Sequence, residues 1–238
     1  MESSQSTHSD LVTMTDLEEV LEEKGFNAGY QCENPGLFKT AIIEIIKGNE
    51  NAFQNYMSNG GEPGDVCVGR HKGSGEYTIV HLIKAIVLSG NVNMMKKFLD
   101  EYPDYIDYFD NEYTLLSYSI VNKKFDISNY LLDNKINPNM REKRNRTSLY
   151  YVIFSGNYEL FEKMIKCGAD PNLEYAMPRL NMLYHCVANC YSHNKTNENY
   201  KKMCLLMLKN GTTIQHEKYN KEDLDILEEL QAELKESA

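Results

Sequence analysis

Short groups of apolar residues at helical spacing recur along the chain, and glycine or asparagine separates one group from the next. The clearest example is the stretch 147–172, where two groups each share one helical face: Leu149, Val152 and Ile153, then Leu160, Phe161, Met164 and Ile165. Gly156-Asn157 lies between these groups, and Gly168 follows the second one. Because each apolar stripe is too short to bury itself, the pattern predicts pairs of short helices that pack against neighbouring pairs.

The position between the two helices of a pair recurs at a regular interval. Aligning this predicted helix break gives Gly48, Gly90, Lys123, Gly156 and Asn199, and the two central intervals are equal. Glycine is favoured at such a position because a helix often ends on a residue with a left-handed backbone. A fixed period of about 33 residues, as found here, is typical of proteins built from stacked repeats.

Two motifs of the stretch 147–172 resemble those of ankyrin repeats. Thr147-Ser148-Leu149-Tyr150 stands where that family has Thr-Pro-Leu-His, and Gly168-Ala169-Asp170-Pro171-Asn172 matches its Gly-Ala-Asp-x-Asn. The resemblance implies an all-α fold, an ankyrin-repeat solenoid of about five helix-turn-helix repeats with an added helix at each end.

Five repeats and their flanking segments account for the whole chain. We expect a disordered polar tail at 1–15 and a capping helix with its linker at 16–36. The ankyrin-repeat domain then spans 37–215, and an acidic helix follows at 216–238. The predicted repeats are 37–63, 77–110, 113–140, 146–172 and 181–213.

The second repeat has the least regular beginning. Thr78-Ile79-Val80-His81 matches the opening motif with its histidine, which implies that His81 hydrogen-bonds neighbouring turns. This alignment gives the first helix of the repeat three extra residues. The preceding segment, Gly61 to Tyr77, contains five glycines, so we expect an enlarged, mobile loop there.

The charge of the chain restricts its partners. A net charge of −10 argues against nucleic acid or an anionic membrane, because phosphate groups attract clustered Lys and Arg. No run of about 18 apolar residues could span a membrane, and the first residues lack the pattern of a signal peptide. A cytoplasmic location is therefore expected, with the nucleus as the alternative.

No residue pattern predicts catalysis, a metal site or a cofactor. The chain lacks a glycine-rich phosphate loop and a serine-centred elbow, so we predict that it is not an enzyme. Zinc is an alternative for one cluster, because Cys186 and Cys190 lie one helical turn apart and His193 and Cys204 follow. The simpler interpretation of Cys186 is a packed thiol in the core, and we expect reduced cysteines.

Aromatic side chains on two segments predict a protein-binding surface. The run 102–113 interleaves Tyr and Phe with acidic residues, and interface hot spots favour such aromatics; packing onto adjacent loops is the alternative. Tyr118 and Tyr151 lie one repeat period apart, on the helix face that ankyrin proteins turn toward their groove. The predicted protein-binding residues are Tyr105, Tyr108, Phe109, Tyr118, Tyr151, Arg144 and Arg146.

The resemblance implies a protein-binding module that sequesters or scaffolds a signalling protein. The degraded repeats, the 17 Tyr and the absence of Trp resemble divergent ankyrin proteins of large DNA viruses, including poxviruses and polydnaviruses. Several of these resemble inhibitors of Rel/NF-κB factors, which implies a host signalling partner and a role in countering host defence. Residues 1–36 lack the Asp-Ser-Gly-x-x-Ser degradation signal of those inhibitors. The alternative is an adaptor that couples a target to a ubiquitin ligase.

Overall fold

The computed structural model describes residues 35–70, 77–110, 112–142, 145–174, 181–190 and 197–236. The chain forms two compact units, unit 1 (Met1–Tyr105) and unit 2 (Ile106–Ala238), each considered by itself below. The predicted tail at 1–15 lies outside the described residues. The predicted capping segment at 16–36 also lies outside them, except for its last two residues, which begin the first described helix.

Two helix pairs form the core of unit 1. The first pair is α1 (Pro35–Ile46) with α2 (Glu50–Ser58), and the second is α3 (Leu82–Ser89) with α4 (Val92–Glu101). Every residue of α3 except the last is buried, and α3 contacts α1. Isolated helices of this length are marginal in water, so their stability comes from this packing.

An antiparallel hairpin precedes α3 and corrects one expectation. Strand β1 (Val66–Arg70) pairs with strand β2 (Tyr77–His81), with Val66 opposite His81. The prediction of a structureless loop between residues 61 and 77 is therefore wrong for β1. Valine, isoleucine and threonine in the two strands favour this pairing. The glycines of the same segment had led to the prediction of a loop.

A buried carboxylate holds the turn that leads into β1. Asp65 is 4% exposed, and its Oδ2 accepts hydrogen bonds from the Tyr56 hydroxyl and from the backbone N–H of Glu62, the latter at 2.9 Å. Because a buried carboxylate is costly unless it accepts such bonds, the arrangement fixes the turn. The expected mobility of the segment stays a prediction.

The second repeat begins three residues later than the sequence alignment places it. α3 starts at Leu82 with His81 as its N-cap residue, so His81 does not lie in the first helical turn. His81 stands instead where Thr114 and Thr147 stand, each one repeat period further along the chain. In this register α3 has 8 residues, as does the corresponding helix Ser148–Ser155. The three supposed extra residues belong to β2.

Unit 2 contains helix pairs in tandem and a final helix. In chain order its α-helices are α5 (Leu115–Val121), α6 (Phe125–Asp133), α7 (Ser148–Ser155), α8 (Tyr158–Lys166), α9 (Met182–Cys190), α10 (Glu198–Lys209) and α11 (Lys221–Glu236). The first helices α5, α7 and α9 contact one another in order, and so do the second helices α6, α8 and α10. α11 contacts α9 and α10.

The helix breaks adopt the left-handed backbone that the sequence predicts. The φ angle is 71° at Gly90, 56° at Lys123 and 66° at Gly156. In the last pair the alignment is wrong, because Asn199 lies inside α10, and Asn197 is the N-cap residue of that helix. Apart from this local shift and the hairpin, the predicted all-α fold of repeated helix pairs is confirmed.

Candidate protein-binding surface

The first helices of the repeats in unit 2 carry no charged residue. Their sequences are LLSYSIV in α5, SLYYVIFS in α7 and MLYHCVANC in α9. The second helices α8 and α10 read YELFEKMIK and ENYKKMCLLMLK, and they carry several charges each. Residues Leu115 to Ile120 of α5 are buried, whereas α7 and α9 keep partly exposed residues. Interface cores are poor in charged residues and rich in Tyr, Phe and Met, so α7 and α9 form the candidate surface for a protein partner.

Tyr118 of α5 is buried, which corrects the prediction that it lines an exposed groove. Its side chain is only 8% exposed, and the ring of Tyr113 lies 6.2 Å from it between centroids. Burial, together with the nearby Asp110 and Tyr113, raises the pKa of Tyr118 above its usual value. The ring of Tyr113, which precedes α5, is one of the groups that cover Tyr118.

Tyr151 of α7 is half-buried, and its hydroxyl is already engaged within the protein. Its ring centroid lies 5.6 Å from that of Tyr113. Burial and the Glu142 carboxylate raise the pKa of Tyr151, whereas the adjacent Arg146 lowers it. The structure thus brings together two predicted contact residues, Tyr151 and Arg146, and it joins them to Tyr118 through the ring of Tyr113.

Glu142 is a buried carboxylate that the sequence analysis missed. Its side chain is 6% exposed, and its Oε1 accepts hydrogen bonds from the backbone N–H of Thr114 at 2.8 Å and from the Thr114 hydroxyl at 3.0 Å. The Ser117 hydroxyl lies 2.8 Å from that of Ser148, which joins the starts of α5 and α7. Burial raises the pKa of Glu142, although these hydrogen bonds oppose the shift. The network fixes which residues α7 turns outward.

α7 and α9 together present an aromatic patch that the sequence analysis also missed. Phe154 is 41% exposed and lies one turn from Tyr150, with ring centroids 4.7 Å apart. His185 of α9 lies 5.2 Å from the Phe154 ring and 5.6 Å from the Tyr150 ring. The Arg146 guanidinium lies 4.3 Å from the Tyr150 centroid, in a cation–π contact. Arg146, Tyr150, Phe154 and His185 form the Phe154 patch.

The charge of the Phe154 patch at neutral pH is that of Arg146. Burial, with a smaller effect from Arg146, lowers the pKa of His185 to about 4, so the imidazole is neutral at pH 7. The Nε of Arg146 is buried and has no hydrogen-bond partner among the described residues. The patch is therefore aromatic, with a cation at one end.

The remaining predicted contact residues lie in different settings. Tyr105 belongs to unit 1, where its ring lies 5.4 Å from that of Phe98, which favours the packing alternative for this residue. In unit 2, Tyr108 is half-buried with a buried hydroxyl, and Phe109 is 38% exposed. Arg144 lies outside the described residues. A binding role for these residues stays a prediction.

The cysteines of unit 2 form no metal site in the part of the chain that the structure describes. Cys186, Cys190 and Cys204 are buried free thiols, and burial raises the pKa of Cys204 well above its usual value. Among the described residues, no group of three or more His, Cys, Asp or Glu could hold a metal ion. His193, which the zinc alternative requires, lies outside them.

Membrane insertion has no support in the described helices. The structure contains, within the described ranges, no helix long and apolar enough to cross a membrane. The longest of these helices, α11, has 16 residues and is rich in Glu and Asp. A span of the hydrocarbon core needs about 20 mostly apolar residues.

Comparison with known families identifies the segment that contains most of this surface. A family model for ankyrin repeats, in 3 copies, matches residues 82–175. No curated protein matches the chain. The matched segment includes α3 to α8 and every residue of the Phe154 patch except His185. Ankyrin-repeat domains are generally non-enzymatic binding modules. Residues 82–175 therefore match three ankyrin repeats, a type of repeat that indicates a protein-interaction module.

Proposed function

We propose that the chain binds a signalling protein and sequesters or scaffolds it. The observation that carries this proposal is the pair of uncharged first helices α7 and α9, on which Phe154 remains 41% exposed. Exposed apolar patches rimmed by polar residues mark interaction sites in soluble proteins. The ankyrin repeats at 82–175 supply the scaffold for such a site.

The partner we propose is a host factor of the Rel/NF-κB class, held in the manner of its cellular inhibitors. The support is the resemblance of the eroded, tyrosine-rich repeats to viral ankyrin proteins and the acidic helix α11 at the end of the repeats. In this proposal the chain acts in the cytoplasm and counters host defence. Residues 1–36 carry no Asp-Ser-Gly-x-x-Ser signal, so in this proposal that segment would not mark the chain for degradation during signalling.

The packing of α11 argues against this helix as the ligase-binding segment of a ubiquitin-ligase adaptor. A ligase-binding helix would present its apolar residues to the ligase. In α11, however, the apolar residues Ile226, Leu227 and Leu230 are buried, and the helix contacts α9 and α10. These side chains therefore serve the repeat stack and are not displayed to a second protein.

The direct test combines the purified chain with a purified Rel-homology dimer and its DNA site. We expect the two proteins to co-migrate in size-exclusion chromatography and the dimer to release its DNA, as measured by fluorescence anisotropy. Phe109→Ala should weaken the complex by roughly 2 kcal/mol, about 30-fold, if this predicted contact residue is a hot spot. Glu159→Ala, on the charged helix α8, is the matched control and should bind as the unmodified chain does.

Two results would reject different levels of the proposal. A folded chain that neither co-migrates with the dimer nor displaces its DNA rejects the Rel/NF-κB partner. Affinity purification from cell extract with mass spectrometry then tests the general function. Recovery of no protein above background, with bait of native circular dichroism, rejects the binding-module function itself.

A further inference from the structure

The outward face of α7 has an aromatic ring that the core does not use. Leu149, Val152 and Ile153 bury the opposite face of this helix almost completely. The Phe154 ring contacts Tyr150 and His185, and 41% of its surface stays in water. Neither α7 nor α9 carries a charged residue, so an apolar side chain could pack here without desolvating a charge of either helix.

The end of this face nearest the start of α7 is cationic in an otherwise acidic chain. Arg146 makes no ion pair with a described carboxylate, although its side chain hydrogen-bonds Tyr151. The nearby Glu142 is buried, and its Oε1 accepts from Thr114. The sequence from 141 to 146, REKRNR, is basic although the whole chain has a net charge of −10. Local charge complementarity therefore favours a carboxylate, which accepts charge-assisted hydrogen bonds from a guanidinium.

The cation and the exposed ring flank the same aromatic side chain. The guanidinium lies 4.3 Å from the Tyr150 centroid, which lies 4.7 Å from the Phe154 centroid. A segment that covers both features needs an acidic and an apolar side chain on one face, and on a helix residues three or four positions apart share a face. We propose that the Phe154 patch docks an acidic–apolar segment of the partner protein, with Asp or Glu placed three or four residues from Leu, Ile or Phe. The carboxylate pairs with Arg146, and the apolar side chain packs on Phe154 and His185.

This inference rests on the proposed function, because it specifies what the protein-binding surface recognises. It does not depend on the Rel/NF-κB partner. The probe is a displayed library of random peptides long enough for about four helical turns, selected on the purified full chain. Selected peptides should share an acidic residue three or four positions from a large apolar one. Isothermal titration calorimetry of one synthesised peptide then gives the affinity.

Variants of the chain and of the peptide separate the two contacts. Phe154→Ala should weaken the selected peptide about tenfold or more, as for an interface hot spot. Arg146→Gln should weaken it about fivefold or more and should remove most of the loss of affinity on raising salt from about 0.05 M to about 0.3 M. The matched control is Tyr158→Ala, an aromatic substitution on the second helix of the same repeat, which should leave affinity unchanged.

A double-mutant cycle makes the pairing specific. Replacing the acidic residue of the peptide by its amide should weaken binding to the unmodified chain, but it should cause little further loss with Arg146→Gln. Circular dichroism must show the same helix content for every variant. If one chain variant fails to fold, the peptide substitution and the other chain variant still decide the question.

Each outcome of the selection has a defined meaning. Peptides without the acidic–apolar pattern, or equal affinities for Phe154→Ala, Arg146→Gln and the unmodified chain, overturn the inference. A dimer of the chain that dissociates on Phe154→Ala overturns it too, because a second copy would then occupy the patch. A chain that selects no peptide yet retains a protein in affinity purification loses the inference but keeps the proposed function. Failure of both experiments rejects the proposed function.

Discussion

Ile153→Ala and Phe154→Ala alter neighbouring residues of α7 that have opposite surroundings. Ile153 is 0% exposed, whereas Phe154 is 41% exposed. Truncating a buried isoleucine removes its apolar transfer energy and leaves a cavity, which together cost about 2–5 kcal/mol. Truncating Phe154 loses its ring contacts with Tyr150 and His185, and we expect a cost of about 1 kcal/mol or less. Ile153→Asp should cost more than Ile153→Ala, because it also buries an unpaired charge.

Thermal and urea denaturation followed by circular dichroism measure the difference. For a chain of this length, each kcal/mol lowers the melting temperature by about 2–4 °C. Ile153→Ala should therefore melt roughly 10 °C lower than the unmodified protein, and Phe154→Ala no more than about 4 °C lower. Because repeat proteins sometimes unfold in stages, the transition that changes should be compared rather than the average of all transitions.

The contrast within this pair is what tests the structure. If Ile153→Ala melts with the unmodified protein while Phe154→Ala falls by several degrees, the two faces of α7 have been exchanged. The Phe154 patch would then be core, and the docking proposal would fail with it. Equal and large losses would instead mean that both residues are packed.

The remaining predictions concern backbone strain and pH. The backbone is left-handed at Lys123 and Gly156, with φ of 56° and 66°, and glycine adopts this conformation at the least cost. Lys123→Gly should therefore stabilise the protein by up to about 1 kcal/mol, and Gly156→Lys should destabilise it by about 1–2 kcal/mol. Urea midpoints that shift the opposite way would contradict this. Burial raises the pKa of Glu142, so the folded state binds this proton more tightly than the unfolded chain does. The contribution of Glu142 to the free energy of unfolding should therefore decrease as the pH rises above about 4.5. Glu142→Gln should flatten that part of the curve of urea midpoint against pH. His185 acts in the opposite sense, because its pKa is lowered to about 4 and the unfolded chain takes up the proton first. The free energy of unfolding should therefore decrease as the pH is lowered from about 6.5 to about 4. His185→Phe should remove this pH dependence, and an unchanged dependence would show that His185 is not its source.

The helix breaks show how far sequence reasoning reaches. The repeat period alone places Lys123 at a break, although lysine is a poor residue for a left-handed backbone, and φ there is 56°. The same reasoning fails at His81, because a histidine that follows a threonine at the family spacing imitates the opening motif. The β-branched residues before His81 carry the better signal, which is that of a strand.

The candidate surface is harder to predict than the fold. Tyr118 and Tyr151 occupy equivalent sequence positions, yet Tyr118 is buried and Tyr151 is half-buried. Tyr113 contacts both rings, whereas Asp110 lies near Tyr118 and Glu142 lies near Tyr151. All three residues come from segments outside both helices. Periodicity assigns a residue to a helix face, but it does not say which side chain from another segment will cover that face.

The sequence by itself determined the repeat period, the paired helices and most of their ends. These features depend on interactions within a few residues: apolar spacing along one helix, an asparagine cap, and a residue that accepts a left-handed backbone. Only the tertiary structure decided which aromatic rings are exposed and which charges meet them. Phe154 and His185 belong to successive repeats, yet their ring centroids lie 5.2 Å apart, because α7 and α9 pack side by side. Burial depends on all neighbours of a residue at once, and those neighbours are distant in the chain.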